Sequence, residues 1–231
     1  MTMLSDLRRA VLEANTALFH SGLATFTFGN ASAINRAAGR VVIKPSGVAY
    51  TELRADNLVV TDLDGKVVEG GLRASSDLAT HLALYRAFPA IGGVVHTHSQ
   101  FATAFAQAGR EIPCLGTTNA DYFRGAIPVT DPLAPEVIRG EYEAGTGDAI
   151  VRRIGSRDPL EVPAVLVASH APFCWGTTVT AAAEIAALLE EVARLAYLTL
   201  TLAPATQGID AVLLERHFRR KHGKDAYYGQ S

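Results

Sequence analysis

Leu4, Leu7, Val11, Ala14 and Leu18 recur at the i, i+3, i+4 spacing that lines one face of a helix, with Ser5 available as an N-cap and Gly22 placed to end the element. From Ala24 to Val68 the pattern shortens to β-branched runs: Thr-Phe-Thr-Phe (25–28), Ser-Ala-Ile-Asn (32–35), Arg-Val-Val-Ile-Lys (40–44), Leu-Val-Val-Thr-Asp (58–62) and Lys-Val-Val-Glu (66–69). Ala38-Gly39 and Asp62-Leu63-Asp64-Gly65 punctuate them, which predicts antiparallel hairpins. Ser75-Ser76-Asp77 then opens a helix to about Phe88, and Ile-Gly-Gly-Val-Val-His (91–96) reads as a buried strand. Helices are expected over Gln100–Ala108, Pro135–Ile154, Thr180–Ala203 and about Asp210–His222, with a second buried strand in 162–169. No repeat or linker-like run divides the chain, so residues 1–231 are expected to form one domain. Clustered hairpins do not fit regular βαβ alternation; the fold class expected is α/β, with a largely antiparallel central sheet flanked by helices.

Composition narrows the function classes. Of 231 residues 48% are apolar and 19% charged, which excludes disordered and collagen-like chains. Twenty-one Lys and Arg against 23 Asp and Glu leave a net charge of -2, without the basic excess of a nucleic-acid binder. The stretch from Ala181 to Ala203 carries Glu184, Glu190, Glu191 and Arg194, so it reads as a packed amphipathic helix and no membrane partner is expected. Charges among the first twenty residues interrupt any signal-peptide core, and a cytoplasmic location is the expectation. Cys114 and Cys174 lack a Cys-x-x-Cys spacing and are expected to be ordinary semi-buried thiols.

His96-Thr97-His98 ends an apolar strand, where side chains two apart share a face, so both imidazoles can reach one ion; a merely polar strand end is the alternative. His170 stands at the mouth of the second apolar strand, and three histidines with an open position make a catalytic zinc site. Asp77 and His81, four apart on a helix, are each candidates for a fourth ligand. The alternatives are a first-turn carboxylate favoured by the helix dipole and a packing histidine, and Asp77 is the preferred ligand. Imidazole with carboxylate suits zinc, with manganese or cobalt as options. Gly29-Asn30-Ala31-Ser32, Lys44-Pro45-Ser46-Gly47 and Ser75-Ser76 offer hydroxyls, helix-start amides and one ammonium, the groups that a substrate phosphate needs. Arg216, Arg219, Arg220, Lys221 and Lys224 form a basic run that could draw an anion or simply cap a solvated helix end; His217 and Arg220 are the members expected nearer a site, while His20 and His222 are expected to be structural or surface residues.

Gly29-Asn30, Lys-Pro-Ser-Gly (44–47), Ser-Ser-Asp (75–77), Gly-Gly-Val-Val-His-Thr-His-Ser (92–99) and Ser-His-Ala-Pro-Phe-Cys-Trp-Gly (169–176) resemble the class II aldolase/adducin-like family over nearly the whole chain. Gly-Thr-Thr-Asn-Ala-Asp-Tyr-Phe (116–123), Gly-Glu-Tyr-Glu (140–143) and the ending from Arg220 resemble its pentulose-phosphate 4-epimerase branch, with Asn119 where relatives carry a histidine. The resemblance implies a metal site of His96, His98 and His170 with Asp77 nearby or coordinated, and one Zn2+ per subunit. It implies a phosphate pocket of Gly29, Asn30, Ser46, Gly47, Ser75 and Ser76, with Lys44 added, and acid/base residues Asp121 and Tyr228. It further implies a homotetramer with sites at subunit boundaries, with Tyr228 reaching a neighbour's site. The reaction implied interconverts L-ribulose 5-phosphate and D-xylulose 5-phosphate by retro-aldol cleavage of C3–C4 and re-addition. An L-fuculose 1-phosphate type aldolase is the alternative, and a non-enzymatic adducin-like interaction domain a more distant one.

Overall fold

A run such as Val94-Val95 has no polar side because the sheet that it enters is covered on both faces. The computed structural model describes residues 3–222 and 226–228. Its strands are β1 (Asn30–Asn35), β2 (Arg40–Ile43), β3 (Val59–Thr61), β4 (Val67–Glu69), β5 (Gly93–His96), β6 (Ala164–Leu166) and β7 (Pro172–Gly176). They form one sheet in the order β4-β3-β2-β1-β5-β7-β6, with every neighbouring pair antiparallel. The helices are α1 (Met3–His20), α2 (Leu78–Ala87), α3 (Gln100–Gln107), α4 (Thr117–Ala120), α5 (Pro135–Arg139), α6 (Tyr142–Ile154), α7 (Val179–Leu202) and α8 (Ala211–His222).

Alternate residues of β1, β2, β3, β5, β6 and β7 feed two cores, while the edge strand β4 is exposed. Val42, Val60, Val95 and Cys174 pack against Val11 and Leu18 of α1, Ala102 of α3, and Leu189 and Val192 of α7. Val41, Ile43, Val59, Val94 and Trp175 pack on the other face against Leu78, Leu82 and Tyr85 of α2 and Ile150 of α6. Each such fully buried aliphatic side chain contributes about 1.5–3 kcal/mol relative to an exposed one. Gly93 lets α7 press on the sheet: a Cβ there would lie 2.3 Å from the Val179 Cα.

The expected hairpins, helices and antiparallel sheet are present, with five differences in detail. Thr25–Phe28 is not a strand, because Phe26 (φ 54°) and Gly29 (φ 79°) are left-handed and fold the segment into a loop. The helix expected over 135–154 breaks at Gly140 into α5 and α6. Ser5 lies inside α1 rather than at its cap. The strand expected over 162–169 is confined to β6, and β7, whose proline and aromatic residues give no β-branched run, pairs between it and β5. Both cysteines are buried rather than half-exposed. Among the described residues no helix is long and apolar enough to cross a membrane. Lys224 lies outside the described residues.

Candidate active site

Three adjacent strands bring their ends to one edge of the sheet. The register pairs Asn30 of β1 with His96 of β5, and His96 with Phe173 of β7. Gly29 permits this: its φ of 79° suits glycine, and a Cβ there would stand 2.9 Å from the His96 carbonyl oxygen. The strand stops at His96, so His98 sits in the following loop, yet the two Nε2 atoms lie 3.1 Å apart. His170 comes from the β6–β7 turn, where Ser169 adopts a left-handed φ of 60° and hydrogen-bonds its N–H to the Ala106 carbonyl.

The three imidazoles form a group whose ligand atoms all lie within 4.8 Å of one another. His96 donates Nδ1–H to the Pro172 carbonyl at 2.9 Å, which fixes its tautomer and leaves the Nε2 lone pair facing His98. Its ring stacks on Phe173 at 4.2 Å. Burial holds the His96, His98 and His170 pKa values below the ordinary imidazole range, so all three offer lone pairs. A tetrahedral ion with Zn–N bonds of about 2.0–2.1 Å spaces its nitrogens about 3.3 Å apart, close to the His96–His98 separation. The donor set therefore fits a metal ion.

Asp77, at the N-cap of α2, is not in that group. Its Oδ2 accepts from Asn30 Nδ2 at 2.6 Å. Burial favours its protonated form, yet its pKa is held below the usual value, the Asn30 hydrogen bond favouring the carboxylate. His81 is fully buried, with Nδ1 2.7 Å from the Ser32 hydroxyl, which also contacts Tyr85 at 2.8 Å. Burial lowers its pKa to about 4, so it packs as a neutral ring beneath the site.

A cavity of about 320 Å³ opens over the imidazoles and is lined also by Asn30, Lys44, Ser46, Gly47, Ser75, Ser76 and Asp77, bringing the expected phosphate residues and the histidines into one space. Lys44 is 2% exposed, and burial lowers its pKa to about 8; its Nζ makes only long contacts, 3.4 Å to the Thr27 and Pro45 carbonyls. The Ser75 hydroxyl accepts from Asn30 at 3.0 Å, leaving its own proton for a ligand. The amides of Ser46 and Ser75 are not free: they donate to the Arg73 and Lys44 carbonyls. The polar groups that this cavity leaves open are therefore hydroxyls and Lys44 rather than those two expected amides. Asn30 Oδ1 is buried with no partner among the described residues, an acceptor open to a ligand.

Asp121 and Tyr228 do not line this cavity. Asp121, 8% exposed at the end of α4, receives both guanidinium arms of Arg220, with Nε at 2.8 Å, and lies 3.0 Å from His217 Nδ1. Burial pushes its pKa up, but the hydrogen bonds from Arg220 and His217 prevail and hold it below the usual carboxylate range. Tyr228, 57% exposed, hydrogen-bonds through its N–H to the Arg220 carbonyl, and the Arg220 guanidinium lies 4.7 Å from its ring centroid. His222, expected to be peripheral, places Nε2 2.9 Å from the Asp121 carbonyl oxygen. Arg220 and His217 from the basic run thus hold Asp121, while Arg219 pairs with Glu215. Sequence reasoning missed two aromatic neighbours: Phe28, which lines the cavity beside His98, and Tyr142, whose ring stands edge-on to His170 at 6.2 Å. The adjacency of Phe28 to Gly29-Asn30 was the available signal for the first.

Residues 9–197 match the family model described as Class II Aldolase and Adducin N-terminal domain. The chain is 54% identical over 227 residues to the L-ribulose-5-phosphate 4-epimerase UlaF of Salmonella paratyphi C (strain RKS4594), covering 98% of this chain and 100% of that protein. The protein of the same description from Salmonella choleraesuis (strain SC-B67) matches to the same extent. Among solved structures, an L-fuculose 1-phosphate aldolase superposes with a TM-score of 0.78 at 23% identity, covering 92% of this chain and 94% of that one.

Proposed function

The chain belongs to the class II aldolase and adducin family, and from that premise we infer that it interconverts L-ribulose 5-phosphate and D-xylulose 5-phosphate. The observation that carries this reading is one cavity holding three neutral imidazoles beside a buried ammonium and serine hydroxyls, in a chain so similar to epimerases of that name. The aldolase alternative rests on solved neighbours of that description at 18–25% identity, against 54% for the epimerases. The intact imidazole group argues against an adducin-like domain without chemistry.

The substrate dictates the route. Its ketone is C2, so the hydrogen on C4 is not α to a carbonyl and cannot leave as a stabilised carbanion. Breaking C3–C4 instead sends the bond's electron pair into an enediolate across C2 and C3. The C4 hydroxyl gives up its proton, and C4 becomes the aldehyde of glycolaldehyde phosphate. Re-addition to the opposite face of that aldehyde remakes C3–C4 with inverted configuration and returns a proton to the C4 oxygen. His96, His98 and His170 would hold a divalent ion, zinc in our reading and one per subunit, which would supply Lewis acidity on the ketone side. Asp77 would serve there as a ligand or a counter-charge.

Ser46, Gly47, Ser75 and Ser76 bind the phosphate, with Lys44 as the cation, and Gly29 and Asn30 close the pocket floor. Asp121 and Tyr228 are the proton-transfer groups, Asp121 as a carboxylate and Tyr228 as a phenol. Because both belong to the α4–α8 cluster and lie outside their own chain's cavity, we assign them to the cavity of a neighbouring subunit in a homotetramer. The setting is cytoplasmic carbohydrate metabolism. A coupled assay for D-xylulose 5-phosphate from L-ribulose 5-phosphate, run beside elemental analysis of untagged protein and of His96→Asn, tests the reading. Turnover and bound zinc, both lost in the variant, are expected; full metal occupancy in His96→Asn contradicts the assigned site.

A further inference from the structure

Epimerisation by cleavage and re-addition makes two demands at C4 that simple aldol cleavage does not. The two-carbon aldehyde must turn about its C4–C5 bond while its phosphate stays anchored, and it must not escape during the turn. A polar side chain that grips the aldehyde oxygen in one orientation resists the turn, since the hydrogen bond must be broken on the way. The surface beside the turning carbon therefore needs shape without hydrogen-bonding groups.

Among the described residues that line the cavity only Phe28 and Pro45 offer apolar side chains, and Pro45 lies between Lys44 and Ser46, which we assign to the phosphate. Phe28 stands beside the imidazoles, its ring centroid 6.0 Å from that of His98 and tilted by 46°. Its backbone is fixed: the N–H donates to the Thr25 carbonyl at 2.9 Å, and the one proton of the buried Tyr50 hydroxyl is shared between the Phe28 and Gly29 carbonyls, at 3.1 and 2.9 Å. The residue remains 56% exposed. Phe26 stands edge-on against it at 6.2 Å, 79% exposed and at a φ of 54°, a left-handed conformation that residues with a Cβ seldom adopt. Two exposed aromatic rings and a strained φ at the rim of a polar cavity cost stability, and strain of this kind gathers where function requires it.

We propose that Phe28, propped by Phe26, is the apolar wall against which the aldehyde fragment turns, and that this wall decides whether the cleaved fragments recombine or are released. The proposal rests on the C4-epimerase reading. Phe28→Ser places a hydroxyl on the wall, Phe28→Leu keeps it apolar, and Phe26→Ala removes the prop. Each protein is incubated with L-ribulose 5-phosphate; D-xylulose 5-phosphate is followed by the coupled assay and free glycolaldehyde phosphate by hydrazide trapping, with metal content and oligomeric mass measured alongside. Release per epimerisation is expected to rise about tenfold or more in Phe28→Ser, less in Phe26→Ala, and to return toward the wild-type ratio in Phe28→Leu, at constant metal content and mass. An unchanged ratio in both Phe28→Ser and Phe26→Ala overturns the proposal, and so does a change in oligomeric mass, which makes the ring a subunit contact. A wild-type protein inert on L-ribulose 5-phosphate overturns the epimerase reading itself, and is recognised before any variant is compared.

Discussion

Gly29→Ala tests how tightly the loop before β1 is fitted to the metal site. The new methyl meets two penalties that the structure separates. A left-handed φ of 79° costs a residue with a Cβ about 1 kcal/mol. The Cβ would also stand 2.9 Å from the His96 carbonyl oxygen, a backbone atom that cannot rotate away, so the end of β5 must shift. Overpacking of this kind adds about 2 kcal/mol. Together they predict a loss of about 3 kcal/mol, or a fall in Tm of about 6–12 °C for a chain of this size. Because the atom that must move belongs to His96, metal affinity should fall about tenfold, as when a group supporting a ligand is disturbed. Gly39→Ala is the control: its φ of 60° carries the same backbone penalty, but a Cβ there meets nothing within 4 Å. It should lose about 1 kcal/mol and leave metal affinity unchanged. Calorimetry and metal titration of both variants decide the matter. Equal Tm shifts in the two, or an unaltered metal Kd in Gly29→Ala, refute the reasoning.

Two further outcomes follow from the charges and a third from the placement of the α4–α8 cluster. Lys44 is held near a pKa of about 8 by burial, so its ammonium is lost as pH rises through that value; kcat/KM should fall above about pH 8, and Lys44→Met should have low kcat/KM without that limb. Asp121 has a pKa depressed by Arg220 and His217, so its contribution to stability is full above the unfolded value of about 4 and is lost as pH falls through the lower native value. Urea titrations should find Asp121→Asn less stable than wild type at pH 7, with the gap closing below about pH 4; a pH-independent gap contradicts the ion pair. Mixing His96→Asn with Tyr228→Phe, and separately with Asp121→Asn, should restore activity in both mixtures, because the α4–α8 cluster of one chain completes a neighbour's cavity. Confirmed subunit exchange without recovered activity rules that arrangement out.

Much of this site was legible because strands deliver side chains predictably. A polar His-x-His closing the apolar run Gly92–Val95 could be placed at a sheet edge, and the second apolar run led to His170. The pairing of Asn30 with His96 was not legible, since register across β1 and β5 depends on chain returning from some sixty residues away. Thr-Phe-Thr-Phe satisfies the period of a strand, but Phe26 and Gly29 turn left-handed and make it a loop at the cavity rim, which hid Phe28. Asp121 was found by its motif, whereas its partners His217 and Arg220 come from α8, nearly a hundred positions on, where a basic helix end looks like an ordinary dipole cap. The hydrogen bond from Asn30 to Asp77 Oδ2 was likewise hidden, a contact that no local spacing encodes.

The central claim is that configuration at C4 inverts by breaking and remaking C3–C4, with the C4–H bond untouched. L-ribulose 5-phosphate carrying deuterium on C4, incubated with the protein in ordinary water and followed by NMR, tests it directly. The account predicts D-xylulose 5-phosphate with its deuterium retained on C4. Product whose C4 carries solvent hydrogen, or substrate left unchanged by the metal-loaded protein, would contradict it.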